Sequence, residues 1–305
     1  MNYKDITVGI VTFESEKVIF DCLKSIKRIK KIIIFDNSND IFLKKKINLS
    51  YPKTKFILSK KNLGYGNANN EIIKLCKTKY LFILNPDTVL KKNCETELLK
   101  SINIKKLDFS ILAPISQDTN FGSLKKTKFF KSKNLIEINY TKGFAMLVNK
   151  QKIKKIGMFD KNIFLYLEEI DLCKRLKLKK QKIYLNTKAK IFHKAAKSSN
   201  IGFEFEKCRN WHWMWSKIYF NKKYSNKIIV TLKFLPKLLL IFLKLIFYLL
   251  MINKNKSFKI AEDIDIEYGK AFIDALNAGV EVICIDTILN TSEINIGKKI
   301  KLLHN

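Results

Sequence analysis

Short apolar runs, each closed by polar residues and separated by segments of helical period, recur along the first ninety residues. Residues 6–12 (ITVGIVT), 31–35 (KIIIF), 55–58 and 80–84 (YLFIL) are rich in β-branched or aromatic side chains and read as buried strands. Val18, Cys22 and Ile26 lie at helical spacing after the first run, and residues 62–70 (NLGYGNANN) form a polar, glycine-containing loop that leads into a helix through Leu75. A helix over 95–102 and a strand over 109–113 continue the series. Strand and helix alternating at this spacing predict an α/β fold with a mostly parallel sheet and flanking helices.

In such sheets ligands sit beyond the carboxyl ends of the strands. Three polar clusters fall at those ends: Thr12, Asp36-Asn37-Ser38 and Asn85-Pro86-Asp87. Asp, Asn and Pro are also good turn formers, so one cluster alone is read as a turn. Three on one rim favour a site.

The pattern resumes with a strand over 143–148, a turn at Gly157-Met158-Phe159-Asp160, a helix over 164–177 (FLYLEEIDLCKRLK) and extended chain over 183–193. On a wheel of about 100° per residue, Leu165, Glu169, Leu172 and Leu176 share one line, while Glu168, Asp171 and Arg175 fall beside it. A carboxylate within an apolar stripe is either partnered or has a raised pKa, as a general base requires. Two other readings stay open: a surface helix with an ordinary Asp171–Arg175 pair, and a first-turn Glu169 favoured by the helix dipole. His193 closes the last extended segment. If it faces Asp87, imidazole and carboxylate form a ligand pair for a hard divalent ion.

The chain has 305 residues, 47% of them hydrophobic, enough to build a core. A net charge of +32 invites a nucleic-acid reading, but of the 59 basic residues only Arg28, Arg175 and Arg209 are arginines. Base-reading and bidentate phosphate sites favour arginine, so nucleic acid is not expected as a partner. Diffuse lysine is better suited to an anionic membrane surface. The cysteines (22, 76, 94, 173, 208 and 284) contain no C-x-x-C pair, which removes support for a zinc ribbon or a disulfide framework. Residues 6–13 are too short for a signal-peptide core, so the N-terminus is expected to stay in the cytosol.

Taken together, VGIVTF (8–13), FDNS (35–38), NLGYGNANN (62–70), NPD (85–87), GFAML (143–147), GMFD (157–160), FLYLEEIDLCKR (164–175) and His193 resemble a family 2 glycosyltransferase, in its rhamnosyltransferase-like branch, over residues 5–220. The resemblance implies a glycosyltransferase A-type, Rossmann-like fold, a nucleotide-sugar donor (dTDP-rhamnose or a UDP-sugar), Mg²⁺ or Mn²⁺, and single-displacement transfer with inversion in cell-surface polysaccharide assembly. It further implies that Thr12, Asp36, Asn62, Gly64, Asn70, Asn85 and Glu168 line the donor site. Asp87 and His193 would bind the metal, and Glu169 would be the catalytic base. Asn85 replaces the first Asp of the family's metal motif, and the acidic pair is Glu168-Glu169 where Glu-Asp is usual. A degenerate α/β scaffold that only binds membranes or nucleic acid is the competing reading.

Residues 204–220 carry Trp211, Trp213 and Trp215 among lysines, and 228–252 is a long apolar stretch interrupted by Pro236. Lys233, Lys237 and Lys244 fall within about 40° on a helical wheel. One polar line on an apolar helix predicts a helix lying in the interface, against a bilayer span or a core helix. The expected organisation is a catalytic domain (1–203), an amphipathic membrane-associated region (204–257) and a small α+β tail (258–305). The expected location is peripheral, on the cytoplasmic face of the plasma (inner) membrane, with a glycan or lipid-linked acceptor. The tail resembles the end of the sugar fermentation stimulation protein family through AEDID, YGKAFIDALNAGVEVICID and INIGKKIKL, with a strand over 280–285.

Overall fold

A computed structural model describes residues 1–116, 134–194, 203–250, 263 and 265–271. The strand expected over 280–285 and most of the 258–305 tail lie outside the described residues. The chain divides into two compact units. The first holds the described residues of 1–161 and 168–194; the second holds 162–167 and the described residues from 203 onward.

In the first unit, β1 (Ile6–Thr12), β2 (Lys31–Asp36), β3 (Thr54–Leu58) and β4 (Tyr80–Leu84) are parallel, with β1 between β2 and β4. Helices α1 (Glu16–Ser25), α2 (Ile41–Ser50) and α3 (Gly64–Leu75) connect them. Then follow β5 (Thr88–Leu90), α4 (Cys94–Ile102), β6 (Ile111–Ser116), β7 (Leu135–Glu137), β8 (Ala145–Asn149), α5 (Lys150–Lys155), α6 (Glu168–Leu178) and β9 (Ile183–His193). The strand order is β3-β2-β1-β4-β8-β6-β9-β5, with β7 paired to β9. The sheet is mixed, not mostly parallel: β8 runs antiparallel to β4 and β6, and β5 and β7 antiparallel to β9. A buried strand is a continuous apolar run in either direction, so the apolar pattern carries no orientation.

Both faces of the sheet are covered. Along β1, Ile6, Val8 and Ile10 enter the core that includes Ile19, Leu23, Leu43 and Leu98, whereas Val11 enters the other, with Ile72, Ile73, Leu172 and Leu176. Gly9 faces α3, and a Cβ there would lie 2.7 Å from Ile72 Cγ2 and 3.0 Å from Leu81 Cδ1. The strand–helix approach therefore requires glycine. α3 begins at Gly64, so most of the expected 62–70 loop is helix. Asparagines are poor helix formers, and here tertiary contacts of their side chains override that. On the opposite face, buried Glu95 accepts backbone N–H bonds from Lys27, Arg28 and Ile29 at 2.8–3.1 Å and anchors the turn after α1.

The second unit contains α7 (Phe203–Tyr224) and α8 (Lys227–Leu250). Met214, Trp215 and Ile218 pack with Val230, Phe234 and Ala271. Within the same unit Arg209 Nε donates to the Tyr166 hydroxyl at 2.7 Å and Ser216 to Leu165 O at 2.7 Å. The three tryptophans do not form one belt: Trp215 is buried and stacks on Tyr219, while Trp213 is exposed. Alternate residues of a helix point to different sides. α8 also continues through Pro236, which sits on its exposed side. The lysine line is engaged within the unit: Lys233 Nζ donates to Asn221 Oδ1, Lys237 lies over the Tyr268 ring and Lys244 pairs with Asp265. Among the described residues no helix is long and apolar enough to cross a membrane.

Gly9→Ala drives a methyl into the branched Cγ2 of Ile72, and overpacking of this kind costs about 1–3 kcal/mol. Urea unfolding should show a lower midpoint with unchanged slope. An unaltered midpoint would contradict the tight α3–β1 seat.

Candidate active site

Strand register gathers the polar clusters on one rim. Thr12 pairs with Asp36 across β1–β2, and Ile10 with Leu84 across β1–β4. Ala145 pairs with Leu84, which brings Gly143-Phe144 to the same edge, and Thr88 pairs with His193.

At the β1–β2 side, Asp36 is fully buried. Its Oδ1 accepts from Thr12 Oγ1 (2.7 Å) and Ser38 Oγ (2.9 Å), and its Oδ2 from the Asp40 backbone N–H (2.8 Å). Burial pushes the carboxyl of Asp36 upward in pKa, against these hydrogen bonds. Thr12 and Asp36 thus hold each other and shape the 36–40 turn. Asn37 links that turn to α3, donating to Gly64 O and accepting from Leu63 N–H. Asn62 Oδ1 accepts from Gly64 N–H at 2.8 Å. Gly64 has φ of 74°, a left-handed conformation that glycine takes without a steric cost.

At the β4 end, Asp87 is 2% exposed, and its Oδ1 stands 3.2 Å from His193 Nε2. That oxygen accepts no hydrogen bond. The imidazole is held by stacking on Phe144, with ring centroids 4.4 Å apart. Phe144 O in turn accepts from Asn85 N–H (2.9 Å) and Thr88 Oγ1 (3.3 Å). Asn85 Oδ1 is also buried without a partner. A bare carboxylate oxygen facing an imidazole nitrogen fits a small hard cation. Among the described residues no cluster of three or more His, Cys, Asp or Glu side chains is present. Asp87 and His193 would therefore be the side-chain ligands, leaving the remaining positions to phosphate and water, as Mg²⁺ prefers.

The second acidic group opens α6. Tyr166 (φ 69°) and Leu167 (φ 67°) are left-handed, so the helix starts at Glu168 instead of Phe164. Both glutamates occupy its first turn. Their order is the reverse of the wheel reading: Glu168 is the buried one, with Oε2 unpartnered, and Glu169 is partly exposed. The wheel assumed that Leu165 belongs to the helix; it does not. Burial, then the charge of Glu169, holds the Glu168 carboxyl well above the usual carboxylate range. Burial also raises Glu169, opposed by backbone N–H groups that include those of Ile170 and Gly143 and by the charge of Lys142.

Tyr65 stands out only in the structure. Its hydroxyl donates to Gly143 O at 2.6 Å, and it feels the charges of Glu168, Glu169 and Asp87. A Cβ on Gly143 would lie 3.7 Å from Glu169 Cδ. The dipeptide Gly143-Phe144 therefore lies between the two groups: Gly143 meets Glu169 and Tyr65, and Phe144 meets His193 and Asn85. The aromatic inside NLGYGNANN was the available signal for Tyr65.

Two further residues build the wall. Asn70 clamps the turn after α5, donating to Phe159 O and accepting from Phe159 N–H, both at 3.0 Å. Arg175 is held by Asp171 (2.7 Å) and donates to Ile156 O and Met158 O. Asp171 is fully buried and Arg175 half-buried, unlike the surface pair of an exposed helix, and the pair secures Gly157 (φ 90°) and Met158 (φ 61°) in their left-handed turn.

Residues 7–171 match the family described as Glycosyl transferase family 2, and residues 242–293 match the Sugar fermentation stimulation protein RE domain. A low-salt glycan biosynthesis hexosyltransferase of Haloferax volcanii is 26% identical over 189 residues, covering 56% of this chain and 61% of that protein. The chain thus spans about three fifths of that relative's length. A rhamnosyltransferase of Escherichia coli is 28% identical over 211 residues, covering 60% of this chain and 78% of the relative. Among solved structures, a mannosyltransferase from Pyrobaculum calidifontis in complex with GDP-Man and Mn²⁺ superposes with a TM-score of 0.57. It is 9% identical, over 90% of this chain and 87% of the other, and this likeness concerns the fold.

Because the folded pKa of Glu168 is raised, the folded state holds its proton more tightly than the unfolded chain does. Stability is then lost as pH rises from the unfolded pKa, about 4.3, toward the folded value. Glu168→Gln removes that loss. Calorimetry should find the variant melting above the parent at pH 8, by about 2–4 °C per kcal/mol relieved, with the gap closing near pH 4. A gap that persists unchanged at acid pH would contradict the assignment.

Proposed function

The chain belongs to glycosyl transferase family 2, and from that premise we propose that it moves a hexose, with inversion, from a nucleoside-diphosphate sugar to a hydroxyl of a glycan or lipid-linked acceptor in cell-surface polysaccharide assembly. The observation that carries the reading is the bare Asp87 Oδ1 turned to His193 Nε2 on the rim that also holds the Glu168-Glu169 pair. The dipeptide Gly143-Phe144 bridges the two groups.

Asp87 and His193 would hold a divalent cation, Mg²⁺ or Mn²⁺, which when bound neutralises charge on a diphosphate. The Thr12–Asp36 and Asn62–Gly64 turns would receive the nucleoside, with Asn70 fixing the wall beside them. Glu169, partly exposed and tied to the Gly143 backbone, is reachable by an acceptor hydroxyl. Its raised pKa favours proton uptake. It takes the hydroxyl proton as that oxygen bonds to the anomeric carbon, and the bond from that carbon to the diphosphate oxygen breaks with its electron pair leaving on the nucleotide. A dTDP-activated rhamnose is the first donor to test, given the resemblance to the E. coli rhamnosyltransferase; UDP- and GDP-hexoses follow.

Two measurements test this. Glu169→Gln should lower transfer by about 10²–10⁴-fold while calorimetric donor binding stays within a few-fold. Loss of donor binding instead would remove Glu169 from the base role. Chelation by EDTA, or Asp87→Asn, should abolish donor binding and hydrolysis together, with Mn²⁺ restoring the parent only. Turnover indifferent to EDTA would refute the cation site.

A further inference from the structure

We propose that the outer face of α8 is a docking surface for an anionic lipid bilayer. The helix has 24 residues and spans about 36 Å. Val230, Phe234 and Ile241 are buried within its own unit. Away from them, Leu232, Leu235, Leu239, Phe242, Leu243 and Ile246 are 62%, 48%, 56%, 58%, 54% and 39% exposed. At about 100° per residue these six lie within an arc of about 100°, centred well away from the buried residues. They form one continuous apolar strip along the helix. Soluble monomers rarely expose contiguous apolar patches above a few hundred Å².

Charge selects the occupant. α8 carries Lys227, Lys233, Lys237 and Lys244 and no acidic residue, and residues 203–250 hold nine basic side chains against Glu204 and Glu206. Burial, and then the charge of Lys227, lowers the pKa of Lys222 at the α7–α8 turn. A second copy of this chain on the strip would bring two basic helices together. An anionic bilayer instead offers hydrocarbon to the strip and counter-charge to a segment that carries nine basic side chains against two acids. The lysines leave the strip itself clear: Lys233, Lys237 and Lys244 lie on the side that bonds Asn221, Tyr268 and Asp265. The helix then lies along the surface, as expected for a peripheral protein of an anionic leaflet. This inference stands apart from the transfer chemistry.

Flotation of the full-length protein with vesicles tests it. Vesicles of equal parts phosphatidylcholine and phosphatidylglycerol should capture the protein about tenfold or more better than phosphatidylcholine alone, with raised salt weakening the capture. The double variant Leu239→Glu/Leu243→Glu should lose it while retaining the parent's circular-dichroism melt, since both side chains are half exposed. Should that variant misfold, the lipid and salt comparisons on the parent decide alone. No capture, equal capture by both vesicle types, or a folded double variant that binds like the parent would overturn the proposal. So would a lipid-free dimer that the double variant dissociates.

Discussion

A carboxylate buried away from water must be given hydrogen bonds or an ion, or it gives up its charge. That rule sorts the acids of the first unit. Asp36 has two hydroxyls and a backbone N–H; Glu95 has three backbone N–H groups; Asp171 has Arg175. Each is satisfied, and each fixes a turn. Asp87 Oδ1 and Glu168 Oε2 are the exceptions, buried and without a hydrogen bond. A fold that satisfies its other buried acids so thoroughly leaves these two short in one region of one rim, where the resemblance also places metal and base.

The satisfied acids hold the frame in which the unsatisfied ones stand. Asp171 aims Arg175 at the carbonyls of Ile156 and Met158, and Asn70 grips Phe159 from α3. α3 itself is seated by Gly9. A chain of short-range contacts thus runs from the centre of β1 to the turn beside the site. The geometry of a site is only as firm as the shell that holds it, and here that shell is mostly backbone bonded to buried or half-buried side chains.

Much of this was legible before any coordinates. The runs at 6–12, 31–35 and 80–84 became β1, β2 and β4, and the polar clusters at their ends share a rim, because parallel strands in register must end together. Asp87 and His193, 106 positions apart in the chain, stand 3.2 Å from each other. Three things stayed hidden for physical reasons. Strand direction leaves no mark on a fully buried run, so β8 was not seen to reverse. Aromatic content alone does not say which side of α7 is covered, so the split between buried Trp215 and exposed Trp213 lies outside composition. Tyr65 has no titratable role at neutral pH, and its importance lies in one hydroxyl bond across the chain.

The start of α6 departs furthest from the periodicity of its sequence. Residues 164–177 satisfy helical periodicity, yet the helix begins four residues late because Tyr166 and Leu167 are left-handed, at about 1–3 kcal/mol each. Had the helix begun at Phe164, Glu168 and Glu169 would lie in its second turn, with their backbone N–H groups spent on intrahelical bonds. Starting at Glu168 puts both at the positive end of the dipole and leaves first-turn N–H groups for Glu169 to use. Those bonds and the dipole favour the anion; burial opposes it, and burial wins for both residues. Both carboxyls are thereby held above their ordinary range, Glu169 with backbone N–H groups that oppose the rise and Glu168 with its Oε2 left without a partner. The backbone strain is the structural cause of that balance.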